Sequence, residues 1–223
     1  MEKAQPFAMP GASSLWTAWQ PFRVGNRIFV DFVNTGFRSD PARDPLVGWP
    51  DVIQFLSLAA AMPETELRAL ARAKPSRRQA AAALAEAHAL RTTLKELVAA
   101  VVAGKPVRPA WVTAINRTLS TADGGVRLAA DSSRWRFVTQ PIENGLRRTL
   151  APIARSAAEF LVNDDPSLLR RCGAPECTLY FYDTSRTGGR RWCRMDLCGN
   201  RVKARAHLAR QAVNQARRAR EKG

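Results

Sequence analysis

The sequence predicts an α+β chain: a mostly helical N-terminal domain with short strands and a hairpin, then a small C-terminal finger on four cysteines, followed by a basic helix. Three observations carry this. All four cysteines fall together as Cys172, Cys177, Cys193 and Cys198, spaced C-x4-C-x15-C-x4-C, the outline of a tetrahedral four-thiolate zinc site. The stretch Ser76 to Val102 is rich in Ala, Leu, Glu and Lys and has no Gly or Pro, the composition of one long helix. From Arg170 to the C-terminus there are 14 Lys and Arg against 4 Asp and Glu, so the last quarter carries most of the +16 formal charge.

Taken in order, residues 1–24 hold Pro6, Pro10, Gly11 and Pro21 without a sustained period and read as a tail, anchored if at all by Trp16 and Trp19. Ile28 to Val33 is β-branched and weakly alternating, which predicts a short strand, and Gly36 to Pro50 reads as a loop. Asp51 is the expected cap of a helix from Val52 to Ala60. Glu64 to Ala73 is a second short helix, and Gly104 and Pro106 end the long one. Pro109 opens a helix to Ser120 with Trp111, Ile115 and Leu119 at helical spacing. Val126 to Leu128 and Trp135 to Val138 form a hairpin around Asp131-Ser132-Ser133. A helix from about Ile142 to Asn163 carries Leu146, Leu150, Ile153, Ala157 and Phe160 on one stripe. Asp164-Asp165-Pro166 then caps a short turn, so the division is a tail at 1–24, a helical domain at 25–165 and the finger with its helix at 166–223.

Within the finger, Gly173 and Pro175 let the first cysteine pair bend around one ion, and Gly188-Gly189 turns the ribbon. Leu179 and Phe181 are expected to face a small core, with Tyr180 and Tyr182 facing outward. Cys193 and Cys198 sit where the ribbon gives way to a helix with Asn200 as its N-cap. Zinc held by four sulfurs has no vacant position, so one Zn2+ here is structural. Four thiolates leave a net negative charge on the site, which Arg171, Arg190, Arg191 and Arg194 are near enough in sequence to offset. From Val202 onward, Val202, Ala206, Ala209, Val213 and Ala216 form an apolar stripe with basic residues on its flanks. A basic surface beside a metal-pinned turn is a candidate polyanion site, and Arg190, Arg191, Arg194, Arg201, Lys203, Arg205 and Arg210 are its candidate contacts.

Composition excludes other classes. A chain of 223 residues with 46% hydrophobic content suits one medium domain plus a small appendage. No apolar run approaches a membrane span, and the N-terminus lacks a signal-peptide core. Cysteines clustered at metal spacing favour a reducing compartment, hence the cytoplasm, although two disulfides of a secreted protein would fit the same count. His88 and His207 lie in helical stretches with no nucleophile or carboxylate arrangement around them. No phosphate-binding glycine loop or metalloprotease motif is present, so no enzyme is expected.

The run Cys172-Gly-Ala-Pro-Glu-Cys177, Phe181-Tyr-Asp183-Thr-Ser185-Arg186 and Arg190-Arg191-Trp192-Cys193-Arg-Met195-Asp-Leu-Cys198-Gly199-Asn200-Arg201 resembles the CGNR zinc finger over roughly Leu169 to Arg210. Upstream, Phe29-Val30-Asp31-Phe32-Val33-Asn34-Thr35 and Arg43-Asp44-Pro45-Leu46 are similar to the ABATE domain that precedes this finger. That pairing implies a stress-induced transcription regulator that binds nucleic acid, with duplex DNA as the expected partner. Asp31, Asn34, Thr35 and Arg43, which match those segments, are the candidate lining of a pocket for a small polar or anionic effector. The same residues also suit loop ties, with Asp31 and Asn34 bonding to backbone and Arg43 to a carboxylate. The upstream domain is expected to sense a ligand or form a homodimer. An RNA-binding or ribosome-associated zinc protein and a protein-interaction adaptor are the alternatives. Outward Tyr180 and Tyr182, able to stack on unpaired bases, are what favours RNA.

Overall fold

The computed structural model describes residues 8–16, 23–36, 44–120, 126–131, 134–139 and 148–220. Helices α1 (Ile28–Thr35), α2 (Trp49–Leu58), α3 (Glu64–Arg72), α4 (Arg77–Val102) and α5 (Pro109–Ser120) precede the hairpin β1 (Val126–Asp131) and β2 (Arg134–Thr139). Helix α6 (Ala151–Asn163) and a 3-10 turn at Pro166–Leu168 lead into β3 (Leu169–Arg171) and β4 (Tyr180–Tyr182). A π-helical turn at Met195–Gly199 runs directly into α7 (Asn200–Arg220). No helix among these residues is long and apolar enough to cross a membrane.

The expected strand at Ile28 to Val33 is instead the helix α1. Its β-branched residues favour a strand locally, but a continuous apolar run has no period to read, and here it is enclosed on every side. Phe29, Val30, Asp31, Phe32, Val33, Asn34 and Thr35 are all buried, with Phe29 against Phe160 of α6 and Phe32 against Phe55 of α2. A lone strand would leave its backbone unpaired in that position, whereas a helix satisfies its own.

The other helices keep close to their sequence signals. Ser76 caps α4 through a reciprocal pair with Gln79, and Gly104 at a φ of +66° lies just past its end. Ala83, Ala87, Leu90, Leu94, Leu97 and Val98 of α4 form its buried stripe. Helix α2 starts at Trp49, earlier than expected, because Asp51 caps from inside the first turn. One Asp51 oxygen accepts from the N–H groups of Val47 and Gly48, and the other from Ser13 N–H and Trp16 Nε1–H. Trp16 is thereby buried and anchors residues 8–16 on α2; Trp19 lies outside the described residues. Helix α6 begins at Ala151 with Pro152 in its first turn, and residues 141–147, where the sequence placed its start, also lie outside them. The hairpin pairs as expected, with Val126 opposite Thr139 and Asp131 opposite Arg134.

Candidate metal centre

The finger begins as a two-stranded ladder, Leu169 opposite Tyr182 and Arg171 opposite Tyr180. After β3 the chain turns tightly, with Cys177 N–H on Ala174 O and Cys172 N–H on Leu179 O. Asp183 is buried and closes the ribbon, its two oxygens accepting from the N–H groups of Ser185 and Arg190. Burial pushes its carboxyl up, yet those hydrogen bonds hold it below the usual carboxylate range. Gly188, at a φ of +59°, supplies the turn between. Asn200 is not an N-cap: it is helical, and the π-helical turn Met195–Gly199 starts the helix ahead of it.

The sulfurs of Cys172, Cys177, Cys193 and Cys198 are buried and lie within 4.8 Å of one another. Tetrahedral zinc with bonds of about 2.3 Å requires sulfur separations of about 3.8 Å. Cys177 and Cys193 stand at 3.8 Å, and Cys193 and Cys198 at 3.5 Å. Cys193 N–H points at Cys172 Sγ at 3.3 Å, the backbone support that a metal thiolate needs. The thiols' electrostatics point the same way. Hydrogen bonds from Cys177 and Cys193 hold the Cys172 thiol below its ordinary value, and the same hydrogen bonds with Cys172 push the Cys177 and Cys193 thiols up. Four sulfurs this close cannot all ionise unless a cation shares their charge. The geometry fits the expected single structural zinc, and the alternative pair of disulfides is not formed.

The candidate basic contacts divide. Arg190 is built into the knuckle: its Nε donates to Trp192 O, its Nη2 to the carbonyls of Cys193 and Val24, and its guanidinium lies 4.3 Å from the Phe181 ring centre. Arg194 pairs with Asp196, and Arg191 lies over Trp192. Arg205 makes a two-pronged pair with Glu176 at 2.9 and 3.2 Å, and Arg201 approaches the same carboxylate at 3.9 Å. Lys203 and Arg210 are exposed and form no ion pair among the described residues. Of the apolar stripe, Val202 packs on the finger core, whereas Ala206, Ala209 and Val213 are exposed.

Three of the four upstream candidates make tying hydrogen bonds. Asn34, only 1% exposed, donates from Nδ2 to Tyr180 O at 2.9 Å and accepts Tyr180 N–H at Oδ1 at 3.0 Å, clasping β4 of the finger. Thr35 donates to Phe32 O and accepts from Arg91, which pairs with Asp44. Asp31 accepts the N–H of Gly25 at 2.8 Å. Arg43 lies outside the described residues. Sequence reasoning missed the seam to which these ties belong. Val24 packs in the finger core beside the cysteines, Tyr182 N–H donates to Gly25 O, and Asn26 Nδ2 donates to Tyr182 O. Arg27 pairs with Asp164 and lies 4.1 Å from the centre of the Tyr182 ring. Tyr182 therefore faces the upstream core, edge-on to Phe160, instead of facing outward. No local pattern links residue 24 to residue 182, so only the fold reveals this.

Burial pushes the Asp31 carboxyl up to about 6 against the opposing hydrogen bonds of Gly25 and Val24. Because the folded pKa lies above the unfolded one, the native state binds this proton more tightly, and Asp31 contributes more stability as pH falls from 7 through 6 towards 4. Titrating the Asp31 carboxyl resonance in the zinc-loaded protein should give a midpoint near 6. Asp31→Asn should remove that component from the stability profile; a midpoint in the ordinary carboxylate range would refute it.

Comparison with known families agrees with this geometry. The CGNR zinc finger matches over residues 169–211. ABATE, described as "Putative stress-induced transcription regulator", matches over residues 26–164, more than half of the chain. No curated protein matches it.

Proposed function

The chain belongs to the ABATE family and carries a CGNR zinc finger, and from that premise we propose that it is a DNA-binding transcription regulator acting in the cytoplasm, on the nucleoid. In this reading the zinc-pinned base presents α7 to duplex DNA, and the upstream domain senses a ligand or joins two copies. In the same reading the chain acts as a binding protein, not an enzyme; His88 leans on Arg91 and His207 on Gln211.

The observation that carries the reading is α7 itself. Its 21 residues contain no acid, and residues 203–215 are all exposed. At 1.5 Å per residue it is a rod of about 30 Å, long enough to lie along a groove. Arg201 and Arg205 share one flank with Glu176 as their counter-ion, while Lys203 and Arg210, two turns apart, line the other with none. Lys203 and Arg210 are thus available to phosphate at once, and Arg201 and Arg205 only after Glu176 gives way.

Salt titration of duplex binding tests this. The slope of log K against log salt should fall by about 0.9 for Lys203→Gln and again for Arg210→Gln. Glu176→Gln should tighten binding and steepen the slope, because it removes a competing anion. Failure to retain duplex DNA at low salt would remove the proposal. Preference for structured RNA or single strands in competition would move it to the RNA class, a reading that loses one of its two stacking rings with Tyr182 turned inward. An adaptor would bind none of these, and sizing in solution decides the homodimer.

A further inference from the structure

Helices α4 and α5 run antiparallel, pinned near their connecting loop by Trp111 Nε1–H on Glu96 at 3.0 Å. Toward their other ends lies a cavity of about 290 Å3, which also takes in Leu150, the residue that caps α6. Small side chains leave this space, since Ala114 of α5 lines it where a packed helix pair would carry a larger residue. The floor is apolar, with Leu90 and Leu150 buried, and the wall carries Glu86, Thr93 and Arg117.

Two of those polar groups lack partners. Thr92, Thr113 and Thr118 each return their hydroxyl to a carbonyl one turn back, the usual use of threonine in a helix. Thr93 makes no such bond, and neither its half-buried hydroxyl nor the Arg117 guanidinium has a partner among the described residues. Neither group is sealed from solvent, since Trp49 Nε1 is the one buried side-chain polar atom without a partner among the described residues and Arg117 is exposed, so both are open to a ligand that enters the cavity. The volume lies below the range of drug-sized sites, so the occupant is a small metabolite. One cationic and one anionic side chain over an apolar floor match a molecule that carries both charges and a short apolar group.

We propose that this cavity binds a small zwitterion, an α-amino acid with a short apolar side chain. Arg117 and Thr93 take its carboxylate, Glu86 its ammonium, and Leu90, Ala114 and Leu150 its side chain. A carboxylate offers about four acceptor sites, so the partner that Glu86 already has leaves room for an ammonium. The inference deepens the reading of the upstream domain as a sensor and gives it a route. Helix α6, whose cap lines the cavity, ends at Asp164, which holds Arg27 at the seam and leads into β3 of the finger.

The test uses the full-length, zinc-loaded protein, with calorimetry and thermal shift against L-alanine, L-valine and L-leucine, and with acetate and methylamine as single-charge controls. At least one amino acid should bind and raise Tm, and Arg117→Gln should weaken it by roughly tenfold or more, as loss of a charge-assisted pair does. Thr93→Val, which keeps the shape, should weaken it several-fold, and Ala114→Trp should abolish it by filling the space. Absence of binding by all three at millimolar concentration overturns the proposal. So does binding unchanged by Arg117→Gln and Thr93→Val, or acetate binding as tightly as the amino acid. No nucleic acid is present, so a negative result leaves the DNA reading standing, and a protein that ignores DNA can still pass this test.

Discussion

Cys193→Ser is expected to abolish stoichiometric zinc binding and unfold the finger while leaving the upstream helices folded at a lower Tm. Cys193 is 1% exposed, lies 3.8 and 3.5 Å from the Cys177 and Cys198 sulfurs, and donates its own N–H to Cys172. A serine hydroxyl stays protonated near neutral pH and does not replace a thiolate. Apart from the cysteines, the finger core has, among the described residues, Val24, Ala174, Leu179 and Phe181 as its buried apolar residues. That is too little to fold on hydrophobic burial alone. Zinc binding to such units contributes about 10–16 kcal/mol, so its loss exceeds what the remaining contacts can offset. The upstream core is a separate cluster around α1, α2, α4 and α6, yet it includes Leu169 and Tyr182 from the finger strands. Its melting temperature should therefore drop without its helices vanishing. Elemental analysis and amide spectra read both effects. Equimolar zinc retained by the serine variant, or native finger spectra after chelation, would show that the four sulfurs do not hold the fold through a metal. Acid should act like chelation, because protons compete for the thiolates.

Asn34→Ala should cost about 2–5 kcal/mol and loosen the finger from the helical domain. The side-chain amide satisfies both the N–H and the C=O of Tyr180 in a site closed to water. Truncation leaves two buried main-chain groups without partners, each worth about 1–3 kcal/mol. Asn34→Asp keeps the acceptor for Tyr180 N–H but sets a negative oxygen against Tyr180 O, so the conservative change should not rescue. Urea unfolding of the zinc-loaded variants gives the number, and faster zinc release to a chelator is the accompanying sign. A loss below roughly 0.5 kcal/mol, the range of ordinary surface changes, would mean that the two units touch without supporting each other. Gly25 belongs to the same seam: a Cβ there would lie 2.7 Å from Asp31 N, so even alanine forces the backbone apart.

Local chemistry announces itself in the chain. The Ser76 and Gln79 capping pair, Pro109 at a helix start, Gly188 at the ribbon turn and the four cysteines each encode their conformation or ligand within a few residues. Those features were legible from the sequence because the determining interactions are short in range. The errors are of one kind. Ile28 to Val33 has strand composition but is enclosed on all sides and folds as a helix; Tyr182 alternates outward locally yet turns toward Phe160. Asn34 suited a pocket or a local loop tie, and the backbone that its amide ties is 146 positions away.

The amino-acid sequence by itself determined that a zinc-bound finger follows a helical domain and ends in an acid-free helix, since ligand spacing, caps and charge are properties of neighbours along the chain. Only the tertiary structure decided that residues 24–34 weld that finger to the helical core and that Arg190 serves the metal loop. It also decided which arginines of α7 meet a carboxylate. Those outcomes depend on which groups are excluded from water together, and burial is a property of the whole fold.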